Sequence, residues 1–429
     1  MKFDSFAKNA MLMFVALRMG DAVNLAAGMW FVPKYVSPEE IGAVLPLTSF
    51  ATFISLPVFA FAMTVMTESA RLAADGDRGR LKSLLTGVFV AVAAILVAVL
   101  AVAALAMPRF LESMRVSSRS AGFLVVAAAF LGCAAPIYTD ALQAMKRFRA
   151  LGAIEFLGSV ARLATMAVAM PARALAGYFA GQAALPVFRI AASVFSLRRD
   201  LSVPAEPFWN GAALRRVTLS FLAILAYQAA PMFAALVEQS VLRTSCSSMD
   251  SAGYYMVSRF SDFLNYMTFP LLLVLFPYTA TAAKKGEATR PYVLKCAAVS
   301  LVVALAMAAL YWIAGERLIA LMPNGVNYSD YAKFMPVLVV IAALTACQIF
   351  YTNAEVSAGR FGFLKWLVPL HLVYPAALYV AAQSGHITDI TDVICWFAAI
   401  SIARFVFSAV SVSKKKLPCY LLFRVVTVV

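Results

Sequence analysis

The sequence predicts an all-α polytopic membrane protein with about twelve transmembrane helices in two six-helix lobes around a central cavity. Three observations predict this fold: the composition, the apolar windows and an internal repeat. Of the 429 residues, 63% are hydrophobic and 13% are charged, and the mean hydropathy is +0.84. Soluble domains are roughly half apolar and about a quarter charged, so the composition excludes an ordinary soluble protein.

Windows of about 20 apolar residues, the length that crosses a hydrocarbon core of roughly 30 Å, occur twelve times. The predicted spans are 10–32, 41–66, 84–106, 121–144, 153–170, 175–197, 218–241, 252–278, 292–314, 334–354, 361–383 and 393–412. The first window carries Arg18 and Asp21 and lacks a small-residue cleavage site, so it is predicted to be a retained helix and not a cleaved signal.

The distribution of lysine and arginine predicts the orientation. On this topology, 23 of the 36 Lys and Arg residues lie on the side of the N-terminus, 8 lie on the opposite side and 5 lie within spans. Because Lys and Arg are enriched in cytoplasmic loops, both termini are predicted to be cytoplasmic. The formal charge of +15 belongs mainly to these loops and does not indicate a nucleic-acid partner.

The two halves of the chain repeat each other. An offset of 213 residues aligns Phe50 with Phe263, and an offset of 215 residues aligns Arg189 with Arg404. Because each repeat holds an even number of helices, both enter the membrane from the same side, and a binding site is expected at their interface.

The boundary between the lobes is predicted in the connection from Arg198 to Arg216, which is weakly apolar and contains two prolines and a glycine. The predicted domains are an N-terminal lobe of residues 1–204, a C-terminal lobe of residues 205–413 and a basic cytoplasmic tail of residues 414–429.

Five arginines lie inside the predicted spans: Arg18, Arg162, Arg189, Arg259 and Arg404. A cation at the centre of a membrane helix costs about 2.5 to 3.5 kcal/mol or more, and it normally faces a bundle interior or a water-filled cavity. These arginines therefore indicate a polar path that can hold an anion.

Two of the arginines have an acid three residues later, which is one helical face. Arg18 and Asp21 are in the first span, and Arg259 and Asp262 repeat the spacing in the eighth. Either each acid neutralises its own arginine as a structural ion pair, or both pairs line a shared cavity. In the second case the two arginines would pass a phosphate between leaflets, because Arg18 lies in the inner half of the membrane and Arg259 in the outer half. The planar guanidinium suits this role because it binds phosphate bidentately.

The other ionisable groups are weaker candidates. Arg162, Arg189 and Arg404 are interpreted first as structural, because long side chains can extend along a helix toward the cytoplasmic surface. Asp140 and Glu238 are candidates for carrying H⁺ or Na⁺. The acids Glu68, Glu155 and Glu355 lie near predicted helix ends, where water is the simpler partner.

Polar and aromatic side chains in the seventh and eighth spans are candidates for contacts with sugar hydroxyls. They include Gln228, Asn265 and Tyr266. The alternative is that they hydrogen-bond neighbouring helices, a contact worth about 0.6 kcal/mol on average.

The sequence has no pattern typical of a cofactor-dependent enzyme. It contains two histidines, no CxxC, no H-x-x-x-H and no GxxxxGK[ST] motif, so neither a zinc centre nor a P-loop ATPase is predicted. A membrane enzyme such as a glycan polymerase or ligase would need a long external loop with catalytic Arg, His or Asp residues, and the longest predicted external segments, Pro108–Gly122 and Gly315–Lys333, are short.

Four segments resemble the polysaccharide-exporting, O-antigen flippase-like branch of the multidrug/oligosaccharidyl-lipid/polysaccharide (MOP) flippase superfamily. They are FVPKYVSPEEIGAVLPLTSF, ALQAMKRFRALGAIEFLGSVARL, AGYYMVSRFSDFLNYMTFPLLLVLFPYTATAAKK and PVLVVIAAL with NAEVSAGRFGFLKWL. The third is similar to a family pattern G-x-Y…R…P…P, here Gly253, Tyr255, Arg259, Pro270 and Pro277.

The resemblance implies a two-lobed bacterial inner-membrane transporter that turns over lipid-linked oligosaccharides, usually on undecaprenyl pyrophosphate, for surface polysaccharides such as lipopolysaccharide. It implies partners in the glycan polymerase and glycosyltransferase machinery, no enzymatic activity and a cavity built from spans 1, 2, 7 and 8. Twelve spans argue against lipid II, whose flippases usually have fourteen. The seventh span reads AYQAAPMFAAL, without the acid that family members often carry there.

Two further hypotheses stay open. A multidrug/cation antiporter of the same superfamily predicts a cavity dominated by acids, whereas a flippase for anionic lipid-linked sugars predicts a cationic cavity. A glycan polymerase or ligase is the third alternative.

Overall fold

The computed structural model of the chain describes residues 15, 17–145, 147–199, 201–284, 287–321, 328–357, 360 and 362–412. All regular secondary structure in these residues is helical, which confirms the predicted all-α class. Residues 17–26 are helical and continue as the π-helix Ala27–Phe31 and as α1, Val32–Tyr35.

The remaining helices follow in chain order. They are α2 (Pro38–Ile41), α3 (Val44–Ile54), α4 (Leu56–Ala74), α5 (Arg78–Ser113), α6 (Arg119–Ala134), α7 (Pro136–Ala144), α8 (Phe148–Leu197), α9 (Gly211–Ser245), α10 (Ser248–Lys284), α11 (Arg290–Ala320), the 3₁₀-helix Ser329–Phe334, α12 (Met335–Ser357), α13 (Leu364–Gln383) and α14 (Ile390–Val412).

The described helices agree with the predicted spans in position. By length and composition, eight described helices can cross a membrane, or up to nine if a bent pair is one span. The twelve predicted spans exceed this number for two reasons. Helix α8 contains two of them, and neither α10 nor the first helix, described from residue 17, is among those counted.

Helix α8 is a helical hairpin. Its 50 residues are interrupted at Ala174, whose φ of 40° and ψ of −112° are not helical. Gly177 lets the two halves approach closely, because a Cβ there would lie 2.6 Å from the backbone of Ala169 and Met170. The predicted spans 153–170 and 175–197 are the two arms of this hairpin.

The second predicted span is broken. The segments Pro38–Ile54 and Leu56–Val65 meet at an angle of 58° on either side of Ser55. The hydroxyl of Ser55 is buried and has no hydrogen-bond partner in the described residues. The two segments can therefore point in different directions while forming one crossing.

Side-chain caps fix several helix starts, where backbone N–H groups otherwise lack partners. Ser37 accepts a hydrogen bond from the N–H of Glu40 at 3.3 Å, Asp77 from Arg80 at 3.0 Å and Asn210 from Ala213 at 2.8 Å. The start of α9 is thus set by the chain immediately before it.

The chain forms two compact units, Met1–Gln239 and Ser240–Val429, whose boundary falls inside α9. In the first unit α6 and α7 pack on α8, and α4 packs on α7. In the second unit α12 packs on α10, α11 and α14. The lobe boundary at residues 204/205 stays a prediction, and the tail 414–429 lies outside the described residues.

Candidate functional site

The first predicted Arg–Asp pair forms an ion pair in the first unit. Arg18 Nη1 lies 3.1 Å from Asp21 Oδ2, and about a quarter of each side chain is exposed. Between them, Gly20 faces α8, where a Cβ would lie 3.0 Å from Ser159 Oγ. The small residue lets the helix that carries Arg18 pack against the first arm of the α8 hairpin.

The second predicted pair has nearly the same geometry in the second unit. Arg259 Nη1 lies 3.0 Å from Asp262 Oδ2, and about a quarter of each side chain is again exposed. The Arg259 guanidinium is 4.9 Å from the centroid of the Tyr255 ring, and Asn265 hydrogen-bonds Asp262. The i, i+3 spacing therefore brings together three predicted site residues, and Tyr255 of the quoted motif adds a cation–π contact.

Gly253, the first residue of that motif, has a packing role. A Cβ at Gly253 would lie 2.5 Å from the ring of Tyr331 in the 3₁₀-helix. The Tyr331 hydroxyl donates a hydrogen bond to Asp250 Oδ1 at 3.0 Å. The glycine thus lets the 3₁₀-helix dock on α10 two residues before Tyr255.

Glu155 and Arg189 form an ion pair that was not predicted. They lie on opposite arms of the α8 hairpin, and the Glu155 side chain is 13% exposed. Glu155 was assigned to a helix end in contact with water, and Arg189 was expected to extend toward the surface. The hairpin turn at Ala174 lies about midway between them in sequence, and this register is the signal that could have identified the pair.

Asp21 and Asp140 extend this pair into a charge cluster. Asp21 is close enough to Arg189 for their charges to interact, and Asp140 of α7 is close enough to Glu155. We call Arg18, Asp21, Asp140, Glu155 and Arg189 the first-unit cluster. It contains three acids and two arginines.

Arg162 lies on the same face of α8 as Glu155, seven residues earlier, and Ser159, three residues earlier. It is only 9% exposed, and its Nε has no hydrogen-bond partner in the described residues. The first arm of the hairpin thus carries a buried cation as well as a buried acid.

The second unit has different side chains at the corresponding place. Arg404, aligned with Arg189 in the repeat, lies 6.0 Å from the centroid of the Tyr374 ring, and its charge acts on His371. The ring Nδ1 of His371 is hydrogen-bonded to the carbonyl of Leu367 at 2.8 Å. An imidazole and a phenol thus take the place that Glu155 has beside Arg189.

Three further predicted site residues lie on α9 and α10. Gln228 and Glu238 are half-buried on α9, and Tyr266 is half-buried on α10. Their roles stay predictions. In the described residues no group of three or more His, Cys, Asp or Glu side chains is placed to hold a metal ion.

The arrangement provides two chemically distinct sets of groups. The first-unit cluster places three carboxylates and two guanidiniums within electrostatic range of one another, a set that could hold a proton or a cation. In the second unit Arg259 lies against Tyr255 and Asp262, and Arg404 lies separately against Tyr374, so each guanidinium could bind an anionic group.

No protein-family model matches the sequence, and no curated protein matches it. Solved structures do match along nearly the whole chain. An inward-facing multidrug-resistance MATE-family transporter of the MOP superfamily has a TM-score of 0.66 and 15% identity, covering 94% of this chain and 98% of that one. The lipid II flippase MurJ in an inward closed conformation has a TM-score of 0.66 and 12% identity, covering 97% and 90%.

A MOP-superfamily transporter from Pyrococcus furiosus, described as having a binding pocket of reverse polarity, has a TM-score of 0.60 and 13% identity and covers 96% of both chains. At these identities the comparison concerns the fold. The chain therefore has the all-helical fold that MATE and MurJ transporters of the MOP superfamily share.

Proposed function

We propose that the protein is a flippase that moves lipid-linked oligosaccharides of the undecaprenyl pyrophosphate type across the inner membrane by alternating access. The observation that supports it is the pair of matched Arg–Asp contacts in membrane helices, one in each compact unit. A guanidinium can donate two parallel hydrogen bonds to the negatively charged oxygens of a pyrophosphate.

Both ion pairs are accessible to a ligand. The guanidinium and the carboxylate lie 3.1 Å and 3.0 Å apart, and about a quarter of each side chain is exposed. An incoming phosphate could therefore reach either guanidinium.

The first-unit cluster suggests where transport is coupled to an ion. Asp140 lies near Glu155, and two neighbouring carboxylates favour sharing a proton or a cation. H⁺ or Na⁺ uptake at Asp140 would change the net charge of the cluster. Glu238 is the second candidate for this role.

A multidrug/cation antiporter is the second candidate function. The three acids of the first-unit cluster and the structural match to a multidrug-resistance transporter favour it. The pocket of reverse polarity in the Pyrococcus furiosus transporter supports the view that this fold accepts cavities of either sign.

A flipping assay tests the two candidates. Purified protein in liposomes would be given a fluorescent oligosaccharide on undecaprenyl pyrophosphate, and in parallel a fluorescent lipophilic cation under a proton gradient. We expect the wild type to flip the lipid-linked sugar, and Arg259→Gln and Arg18→Gln to abolish flipping. Arg259→Lys should restore it partly, because lysine keeps the charge and loses the fork.

Double variants separate a binding role from a structural one. If the arginines only neutralise their acids, Arg18→Gln/Asp21→Asn and Arg259→Gln/Asp262→Asn should both flip normally. Full flipping by both would show that these residues do not bind the carrier. Transport of the cation alone by the wild type would favour the antiporter. The matched control is Arg360→Gln. Arg360 follows α12, and this substitution breaks its ion pair with Glu355 near the end of that helix.

A further inference from the structure

The segment between α8 and α9, residues 201–210, lies on the start of α5 and is not a free linker. Lys82 Nζ donates a hydrogen bond to the carbonyl of Val203 at 2.9 Å, and the N–H of Glu206 donates to the carbonyl of Gly79 at 3.2 Å. The Trp209 ring lies directly over Gly87. We call residues 201–210 the strap, and it fixes the place where α9 begins.

The first part of α9 then runs antiparallel to α3 and α4, in contact through three pairs of long side chains. The rings of Phe53 and Phe233 are 6.0 Å apart, and those of Phe61 and Phe221 are 6.4 Å apart. The third pair is Glu68 with Arg216. As the residue number rises along α3 and α4, the number of the contacting residue falls along α9. The three contacts therefore align the two helical segments antiparallel, side by side.

The Glu68–Arg216 contact is a bidentate ion pair. Arg216 donates from Nε to Glu68 Oε1 at 2.6 Å and from Nη2 to Oε2 at 3.2 Å. The Glu68 side chain is 8% exposed and the Arg216 side chain is 44% exposed. Two parallel hydrogen bonds fix the direction of the guanidinium as well as its distance.

Otherwise α9 is loosely held. No described helix packs its backbone closely along α9. Only 12% of its most apolar window is buried, which is close to the 17% of α5 and α11 and far below the 56% of Arg119–Leu142 and Ser329–Val356. Pro231 removes a hydrogen bond within α9, and Ser55 breaks the partner helix at the same level of the register. A helix with these properties can change direction without breaking a packed core.

We propose that the Glu68–Arg216 ion pair is a conformational latch that holds the first part of α9 along α4 and opens during the transport cycle. The strap stays on α5 and acts as the pivot, while the ion pair sets the direction of α9. The direction of the first part of α9 relative to α4, both within the first unit, is the quantity that the latch controls. The inference rests on transport by a protein that moves, and it does not depend on which substrate is carried.

Double electron–electron resonance in lipid nanodiscs measures the latch directly. Spin labels would be placed at Asp75→Cys, just after α4, and Leu214→Cys, near the start of α9, in a background without native cysteines. Both positions are exposed. We expect a short and a long distance, with the short one dominant. Glu68→Gln should lower the ratio of short to long about fivefold, the change produced by losing roughly 1 kcal/mol.

Further variants complete the test. Arg216→Gln should act like Glu68→Gln, and Arg216→Lys should lie between them and the wild type because it keeps the charge without the fork. Arg80→Gln breaks a neighbouring ion pair with Asp77 within one helix and should change nothing. Arg216→Gln could fail to fold because it leaves Glu68 as a buried acid without its cation. In that case the test uses Glu68→Gln and the double variant Glu68→Gln/Arg216→Gln, which remove the buried acid.

Unchanged distances in Glu68→Gln and in the double variant would overturn the latch. No substrate is present in this measurement, so its failure would leave the flippase proposal standing. The opposite result is also informative. If the wild type does not flip lipid-linked sugars but the variants show the predicted distance shifts, the latch is supported and the proposed substrate is wrong.

Discussion

At the scale of single residues, the membrane-embedded arginines differ in how they are compensated. Arg18 and Arg259 have an acid on their own helix, whereas Arg189 has Glu155 on the other arm of a hairpin. A pair within one helix forms as soon as the helix does. A pair between two arms forms only when the arms pack, so Glu155–Arg189 ties charge compensation to tertiary structure.

This difference predicts a stability effect for Arg189→Gln. The substitution leaves the nearly buried Glu155 without its cation in a cluster that already holds Asp21 and Asp140. Removing one partner of a buried pair costs more than removing both, so we expect a loss of about 2 kcal/mol, which Arg189→Gln/Glu155→Gln largely restores. Thermal unfolding of the detergent-solubilised protein measures it.

An exposed ion pair provides the control for this prediction. Arg80→Gln removes the partner of Asp77 where the arginine is 54% exposed, and it should change stability by less than about 0.5 kcal/mol. Equal losses in Arg189→Gln and in the double variant would mean that the Glu155–Arg189 contact contributes nothing beyond packing.

At the scale of elements, the π-helix Ala27–Phe31 sets the rotation of residues 17–26, which carry Arg18 and Asp21. A π-helix accommodates an extra residue within a helix and is frequent at functional sites. Each residue of an α-helix turns by about 100°, so the extra residue decides which face of the preceding segment meets α8. Without it, Gly20 would not face Ser159.

Deleting Met29 should convert the π-helix to an α-helix and rotate residues 17–26 by about 100°. Arg18 and Asp21 would then leave the first-unit cluster, and we expect flipping to be abolished while the protein still inserts. Met29→Ala removes the same side chain and keeps the register, so it should retain activity. Normal flipping after the deletion would show that this rotation is unimportant.

The sequence was sufficient for some elements and not for others. Apolar windows located the helices, and i, i+3 spacing identified both Arg–Asp pairs, because these features depend on local periodicity. The break at Ser55 and the π-helix depend on local backbone geometry that hydrophobic periodicity does not encode. The Glu155–Arg189 and Glu68–Arg216 pairs depend on how segments far apart in sequence pack. Local periodicity in a single sequence carries little information about such contacts.

At the scale of the whole molecule, the two units repeat one pattern and differ in a second. Both have an Arg–Asp pair with matched spacing, distance and exposure. Beside Arg189 the first unit places an acid, whereas beside Arg404 the second unit places His371 and Tyr374. Under the proposed function, Arg18 and Arg259 of the repeated pattern would bind the carrier, and the acids beside Arg189 in the first unit would serve ion coupling.

The charge distribution also predicts the orientation of the whole chain. The strap and the Glu68–Arg216 latch lie near the basic segments assigned to the cytoplasm. Ser247, between α9 and α10, and Ser329, at the start of the 3₁₀-helix, lie in predicted external segments. In a background without native cysteines, an impermeant maleimide applied to intact cells should label Ser247→Cys and Ser329→Cys but not Ser83→Cys or Ser413→Cys. Labelling in permeabilised cells shows that every site is reactive.

Ser247 requires one precaution, because its hydroxyl donates a hydrogen bond to Asp250 at 2.7 Å and its Oγ accepts one from the Asp250 N–H at 3.0 Å at the start of α10. Its replacement should cost about 1 kcal/mol as a lost cap, which leaves the topology unchanged. Labelling of Ser413→Cys from outside would require an odd number of spans. The two halves could then not hold equal numbers of spans, and the prediction of two six-helix repeats would be wrong.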